Sequence, residues 1–176
     1  MKQEAFTVTG NGLLNKIIIP VIVVSGSGEH KEFPALVDTG ATNTCISNEI
    51  ASQLKLVPTG TVENHTANGK ATVNTFVVDL VLCGGRVHIQ RNRVLEVDLK
   101  EQAGIEMLIG MDVLRHGDFI ITNKDGVTRA SFRVPSILST DFVPEVNRHN
   151  MIEEEKQKRA SNQKGKKPKK RKKKRR

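Results

Sequence analysis

Short stretches rich in Val, Ile, Thr and Phe recur along this chain, at residues 6–9, 17–24, 33–37, 73–82, 87–97, 119–122 and 127–134. An amphipathic helix needs an apolar stripe sustained at a 3.6-residue period, whereas brief β-branched runs bounded by turn residues suit strands. The separators are Asn11-Gly12, Ser25-Gly26-Ser27-Gly28, Asn68-Gly69, Gly84-Gly85 and Lys124-Asp125-Gly126, several of them strong hairpin signals. Gly10-Asn11-Gly12 and Gly26-Ser27-Gly28 lack the third glycine and the βαβ setting of a nucleotide-binding loop, so both read as hairpin loops. One segment breaks the rhythm. Over residues 46–54, Ser47 can cap a helix, Glu49 falls in its first turn, and Ile46, Ile50 and Leu54 recur every fourth residue. The expectation is an all-β barrel or sandwich with one or two short helices.

A chain of 176 residues suffices for one domain with a hydrophobic core plus tails. The net charge of +9 is misleading about that domain, because 14 of the 28 Lys and Arg residues lie between Lys156 and Arg176. Residues 1–152 carry the other 14 against 16 Asp and Glu, so the body is mildly acidic. From Glu153 an acidic triplet gives way to a Lys/Arg-rich segment with no apolar residue beyond Ala160. Such a segment cannot bury enough surface to offset its ordering entropy. We therefore expect a domain over residues 1–145 and a disordered charged tail over 146–176, strongly basic from Lys156.

Cys45 and Cys83 form no C-x-x-C pair, and we read both as buried thiols of a reducing compartment. The apolar run from Ile17 to Val24 is too short to span a membrane, is interrupted by Pro20 and follows the charged Glu4 and Lys16, unlike a secretion signal. A cytoplasmic protein is the expectation, or a nuclear one in a eukaryote. The five histidines (His30, His65, His88, His116 and His149) have neither the i, i+4 spacing nor a cysteine at ligand distance, so no metal and no cofactor is expected.

The chemistry concentrates at Pro34-Ala35-Leu36-Val37-Asp38-Thr39-Gly40-Ala41-Thr42, where an acid ends an apolar strand and a hydroxyl, a glycine and a small residue follow at once. Hydrolysis of a peptide without a metal or a covalent intermediate needs a water held between two carboxylates. Two such groups about 3 Å apart cannot both ionise, so one acts as base and the other, protonated, as acid. The bland alternative is an Asp-initiated turn after a strand. Further on, Glu63-Asn64-His65-Thr66-Ala67-Asn68-Gly69-Lys70-Ala71 reads as a hairpin tip with a type I′ turn at Asn-Gly, able to close over a cleft. Met107-Leu108-Ile109-Gly110-Met111-Asp112-Val113-Leu114 then runs from an apolar strand through a glycine into a short helical segment, and Gly110 suits a close approach of two backbones.

In this order and spacing, the segments from Leu14 to Pro135 resemble the retropepsin-like aspartic proteases. The resemblance implies a closed β-barrel with a flap hairpin, acting as a homodimer on protein or peptide substrates. It makes Asp38 the catalytic aspartate, Thr39 the threonine that bonds across the dimer beneath the active site, and Gly40, with Ala41, part of the active-site loop that meets substrate. His65, Thr66, Ala67, Asn68, Gly69 and Lys70 match the flap tip; Leu108, Ile109 and Gly110 match the residues that pack behind the catalytic loop.

Three departures stand out. Thr42 and Asn43 occupy positions that are often acidic in the retroviral enzymes, the flap tip is poorer in glycine, and the chain continues into an apparent hairpin over 118–134 that implies a differently built dimer sheet. The chain holds a single Asp-Thr-Gly, so the second carboxylate of the mechanism has to come from another subunit. The alternative function is a non-catalytic dimer of the same fold that binds nucleic acid. The run from Lys164 to Arg176 would gain from counterion release on RNA, DNA or another polyanion, and without aromatic residues it would read no sequence.

Overall fold

The computed structural model describes residues 2–66, 69–99 and 104–164. Within them the strands are β1 (Glu4–Thr9), β2 (Ile18–Val24), β3 (His30–Val37), β4 (Cys45–Ser47), β5 (Gly60–Thr66), β6 (Gly69–Leu82), β7 (Val87–Val97), β8 (Met107–Ile109), β9 (Asp118–Thr122) and β10 (Arg129–Val134). The helices are α1 (Asn48–Gln53), α2 (Met111–Leu114) and α3 (Val143–Lys164). The chain divides into two units, residues 1–137 and 138–176.

In the first unit, alternation decides which face each strand buries. Ile19, Val21 and Val23 of β2, and Phe76, Val78, Leu80 and Leu82 of β6, point inward while their neighbours are less buried. The strands run in the order β2-β3-β8-β4-β7-β6, and β6 pairs back onto β2, which closes a six-stranded barrel. A proline inside β2 would ordinarily break the ladder. Here Pro20 faces Pro34 of β3, so each lies opposite a residue equally without an N–H, and the Pro20 carbonyl accepts Cys83 N at 2.9 Å.

β5 extends the barrel sheet from β6 as a hairpin. A second sheet, β1-β10-β9, packs Phe6, Ala130 and Phe132 into the same core cluster, with Phe132 edge-on to both Phe6 and Phe119. The second sheet corrects one expectation: β1 pairs with β10, so Gly10-Asn11-Gly12 is a connection between sheets rather than a hairpin loop. It is pinned by Thr128, whose carbonyl accepts Gly10 N and whose own N–H donates to the Gly12 carbonyl. Residues 25–29 do close the β2–β3 hairpin as expected.

Ser47 is the N-cap of α1, its hydroxyl accepting Ile50 N at 3.3 Å, as the sequence suggests; Ile46, however, belongs to β4. The β9–β10 hairpin is tied at its base by Asp118, which accepts the Arg133 guanidinium as well as Ser136 Oγ and Ile137 N.

The second unit holds α3, and it corrects the expectation of disorder from residue 146, since the described part of that segment is helical to Lys164. Lack of apolar residues removes a core but not helix propensity. Glu, Lys, Gln, Arg and Ala are all good helix formers. Glu153–Lys156 and Glu155–Arg159 pairs lie at helical spacing, and Asp141 accepts Val143 N at 2.9 Å beside the helix start. Residues 165–176 lie outside the described residues. No described helix is long and apolar enough to cross a membrane.

Candidate active site

Asp38 follows directly on β3, and its place is fixed by the strand beside it. β3 and β8 run parallel, with Val37 opposite Ile109, and Asp38 N donates to the Ile109 carbonyl at 2.9 Å. The chain then turns sharply: Gly40 N donates to Asp38 Oδ1 at 2.9 Å and Ala41 N to the Asp38 carbonyl at 3.2 Å. An aspartate that accepts a main-chain N–H two residues on is a self-made turn, which is why an acid followed by a small, pliant pair can end a strand so abruptly. The carboxylate is half-exposed, and Thr39 and Gly40 are exposed.

Gly110 locks this loop from behind. Met111 N and Asp112 N donate to the carbonyls of Ala41 and Thr42 at 2.8 and 3.1 Å. A Cβ on Gly110 would lie 2.6 Å from the Asn43 carbonyl carbon and 2.9 Å from the Ala41 oxygen, so no larger residue fits without moving the loop. Leu108 and Ile109 stand on β8, with Ile109 buried in the core. Of the residues expected to group here, Asp38 and Ala41 meet Ile109 and the Gly110 turn, Gly40 is held on Asp38, Leu108 pairs with Leu36 and Cys45, and Thr39 lies exposed on the loop.

Two further residues at this junction, Thr44 and Asn92, do not stand out in the sequence. Thr44 is fully buried; its hydroxyl donates to Asp112 Oδ1 at 2.7 Å and accepts Gly110 N at 3.1 Å. Asn92 of β7 donates through Nδ2 to Asp112 Oδ2 at 3.1 Å. In the sequence both stand among polar residues, Thr42-Asn43-Thr44 and Gln90-Arg91-Asn92-Arg93, so no local signal marks either as buried.

Of the residues expected to form a flap, His65 and Thr66 end β5 and Gly69 and Lys70 open β6, with His65 opposite Lys70 and Thr66 opposite Gly69. Gly69 (φ +120°) therefore opens β6 instead of lying within the turn, a correction to the Asn-Gly reading. Ala67 and Asn68 fall outside the described residues. Lys70 pairs with Glu63 at 3.0 Å on an exposed face, a contact of little energetic weight. Farther along β6 the register shifts between Val78 and Leu80, and Asp79 Oδ1 caps the irregularity by accepting Arg91 N at 2.6 Å.

Among the described residues, one concavity of about 340 Å³ is lined by Ala5, Phe6, Thr7, Cys83 and Arg86, and another of about 240 Å³ by Ile18, Pro20, Glu32 and Phe33 with their neighbours. Asp38 lines neither. Among the described residues no three His, Cys, Asp or Glu side chains converge as a metal site.

A family model described as "gag-polyprotein putative aspartyl protease" matches residues 24–116, just over half of the chain and all of the junction described above. The chain belongs to this aspartyl protease family. Similar solved structures include a retropepsin-like aspartic protease from Rickettsia conorii, at 20% identity and a TM-score of 0.48 over 76% of this chain and 96% of that one. The retroviral protease-like domain of Ddi1 from Leishmania major shows 17% identity and a TM-score of 0.39, over 70% and 97%. The Simian Foamy Virus (mac) protease shows 21% and 0.33, over 52% and 86%. No curated protein matches the chain.

Both cysteines are free, Cys45 buried and Cys83, contrary to expectation, only half-buried. Burial, then the nearby charges of Asp112 and Asp38, push the Cys45 thiol up from 9.0 to about 12. Burial and Glu32 push Cys83 up to about 11. A thiol kept protonated in the fold contributes nothing to pH dependence below 9, where the unfolded chain is protonated too. Above it the unfolded chain ionises first, so stability falls as pH rises toward 12. Urea unfolding at pH 8 and pH 10.5 should therefore show a loss of stability that is smaller in Cys45→Ala, with the remainder owed to Cys83. Equal losses in the two proteins would contradict the buried, charge-flanked thiol.

Proposed function

We propose that this chain is one subunit of a homodimeric aspartic endopeptidase, in which the Asp38 carboxylates of two copies meet on a twofold axis. The observation that carries the reading is a single Asp-Thr-Gly loop, fixed by Asp38 N on the Ile109 carbonyl and by Gly40 N on Asp38 Oδ1, with the acid itself left half-exposed. One carboxylate is half of an acid-base pair. In the dimer, the ionised Asp38 takes a proton from a water while the water oxygen attacks the peptide carbonyl carbon. The protonated Asp38 gives its proton to the carbonyl oxygen; collapse of the resulting diol returns a proton to the leaving nitrogen and breaks the C–N bond. Thr39 would bond across the axis, Gly40 and Ala41 would meet the substrate main chain, and the β5–β6 hairpin would close over it.

Replacing Asp38 by Asn removes the acid-base function with almost no change in volume. Peptide cleavage should fall by at least about a thousandfold while sedimentation still shows a folded dimer. The wild-type pH profile should be bell-shaped, as for any pair that shares one proton. Cleavage by Asp38→Asn at the wild-type rate would overturn the mechanism.

We also propose that the basic segment binds polyanions, on the strength of 14 Lys and Arg residues between Lys156 and Arg176. Deleting residues 156–176 should leave peptide cleavage unchanged and abolish binding to RNA and DNA. The full chain should lose affinity on the order of a thousandfold between about 50 and 200 mM salt. Equal binding by the truncated and full chains at one ionic strength would assign that role elsewhere.

A further inference from the structure

We propose that Asp112 is a positioning residue for the reaction, holding the far end of the Asp38 loop through Thr44 and held in turn by Asn92; this rests on Asp38 being the catalytic carboxylate. The loop has two ends. Its near end is fixed by the parallel pairing of β3 with β8 and by Asp38 N on the Ile109 carbonyl. Its far end, where the chain enters β4, is held by main-chain bonds, among them Leu95 N to the Thr44 carbonyl at 3.0 Å, and by side chains that meet at Asp112. Thr44 is buried with 0% exposure, and a hydroxyl in that position must find partners.

Its proton goes to Asp112 Oδ1 at 2.7 Å, and its lone pair takes Gly110 N at 3.1 Å. Because Asp112 accepts and never donates when ionised, it dictates the direction of the Thr44 proton and leaves the oxygen free to accept Gly110. The same Oδ1 accepts Val113 N at 3.0 Å, and Asp112 N donates to the Thr42 carbonyl at 3.1 Å. Asn92 completes the arrangement from β7 by donating to Oδ2 at 3.1 Å. Three elements, the Asp38 loop, α2 and β7, are therefore joined at one carboxylate.

The donor and acceptor pattern makes the role testable by exchange. Asp112→Asn keeps an oxygen for Thr44 and Val113 but turns an NH2 toward the NH2 of Asn92. Asn92→Asp alone sets two carboxylates against each other. The double variant Asp112→Asn/Asn92→Asp restores one donor facing one acceptor at unchanged net charge. For peptide cleavage, measured well below the melting temperature of each folded dimer, Asp112→Asn should lower kcat about tenfold with KM within about threefold, and the double variant should recover most of it. A purely structural role would lower the melting temperature of Asp112→Asn and leave kcat per folded dimer unchanged.

Exchange of the Gly110 amide with solvent, followed by NMR, gives a readout independent of activity. It should be about tenfold faster in Asp112→Asn and slow again in the double variant. Wild-type kcat in Asp112→Asn, or a double variant no better than the singles in both readouts, overturns the proposal. A wild-type protein that cleaves no peptide overturns the catalytic reading instead, and Gly110 exchange then decides the anchoring by itself: a rate unmoved by Asp112→Asn rejects it.

Discussion

The architecture turns on the contact between two stretches of main chain, Gly110 against residues 41–43. β8 is only three residues long, yet it pairs parallel to β3 and antiparallel to β4, and so joins the strand before the Asp38 loop to the strand after it. The chain can leave β8 toward α2 only by passing against the loop at a distance that a Cβ would forbid. From that contact follow the two main-chain bonds of Met111 and Asp112, the burial of Thr44 and the fixed stance of Asp38. A side chain at residue 110 would push on backbone rather than on a pliant neighbour, and the loop would have to give way.

Gly117 plays a related part between α2 and β9. A Cβ there would collide with the Arg133 carbonyl oxygen, so the turn out of α2 lies directly on β10. The barrel, the Asp38 loop and the β1-β10-β9 sheet are thereby coupled through short spacers around one core cluster. The Asp38 carboxylate accepts Gly40 N and stays half-exposed, as the proposed dimer requires of half a site. Bringing one such acid against another in a dimer would be costly unless the two shared a proton, the state that the proposed chemistry uses.

Much of this was legible in the sequence. The β-rich pattern, the Ser47 cap, the Asp38 turn and the need for glycine at residue 110 follow from local chemistry that tertiary structure does not override. What escaped depends on long-range pairing. Nothing in Gly10-Asn11-Gly12 says that β1 will find β10 across more than a hundred residues instead of turning back on β2. Asn92 was hidden by a register shift: Arg91 takes a positive φ of 52°, the inward parity of β7 passes from Val87 and Ile89 to Asn92 and Val94, and simple alternation would have faced Asn92 outward. The helix over 143–164 escapes a reading of composition for a different reason: lack of apolar residues removes a core but not local order, which propensity and spaced ion pairs supply.

The central claim is that one active unit needs an Asp38 from each of two chains, and subunit mixing addresses it most directly. Wild-type chain is equilibrated with an equal amount of Asp38→Asn chain, both above the dimer dissociation constant, and peptide cleavage is measured per wild-type chain. If both carboxylates are required, mixed dimers are silent and the specific activity falls to about half, following the square of the wild-type fraction overall. An activity per wild-type chain that stays constant across the whole range of mixtures, while mixed dimers are shown to form, would mean that a single Asp38 suffices and would contradict the account.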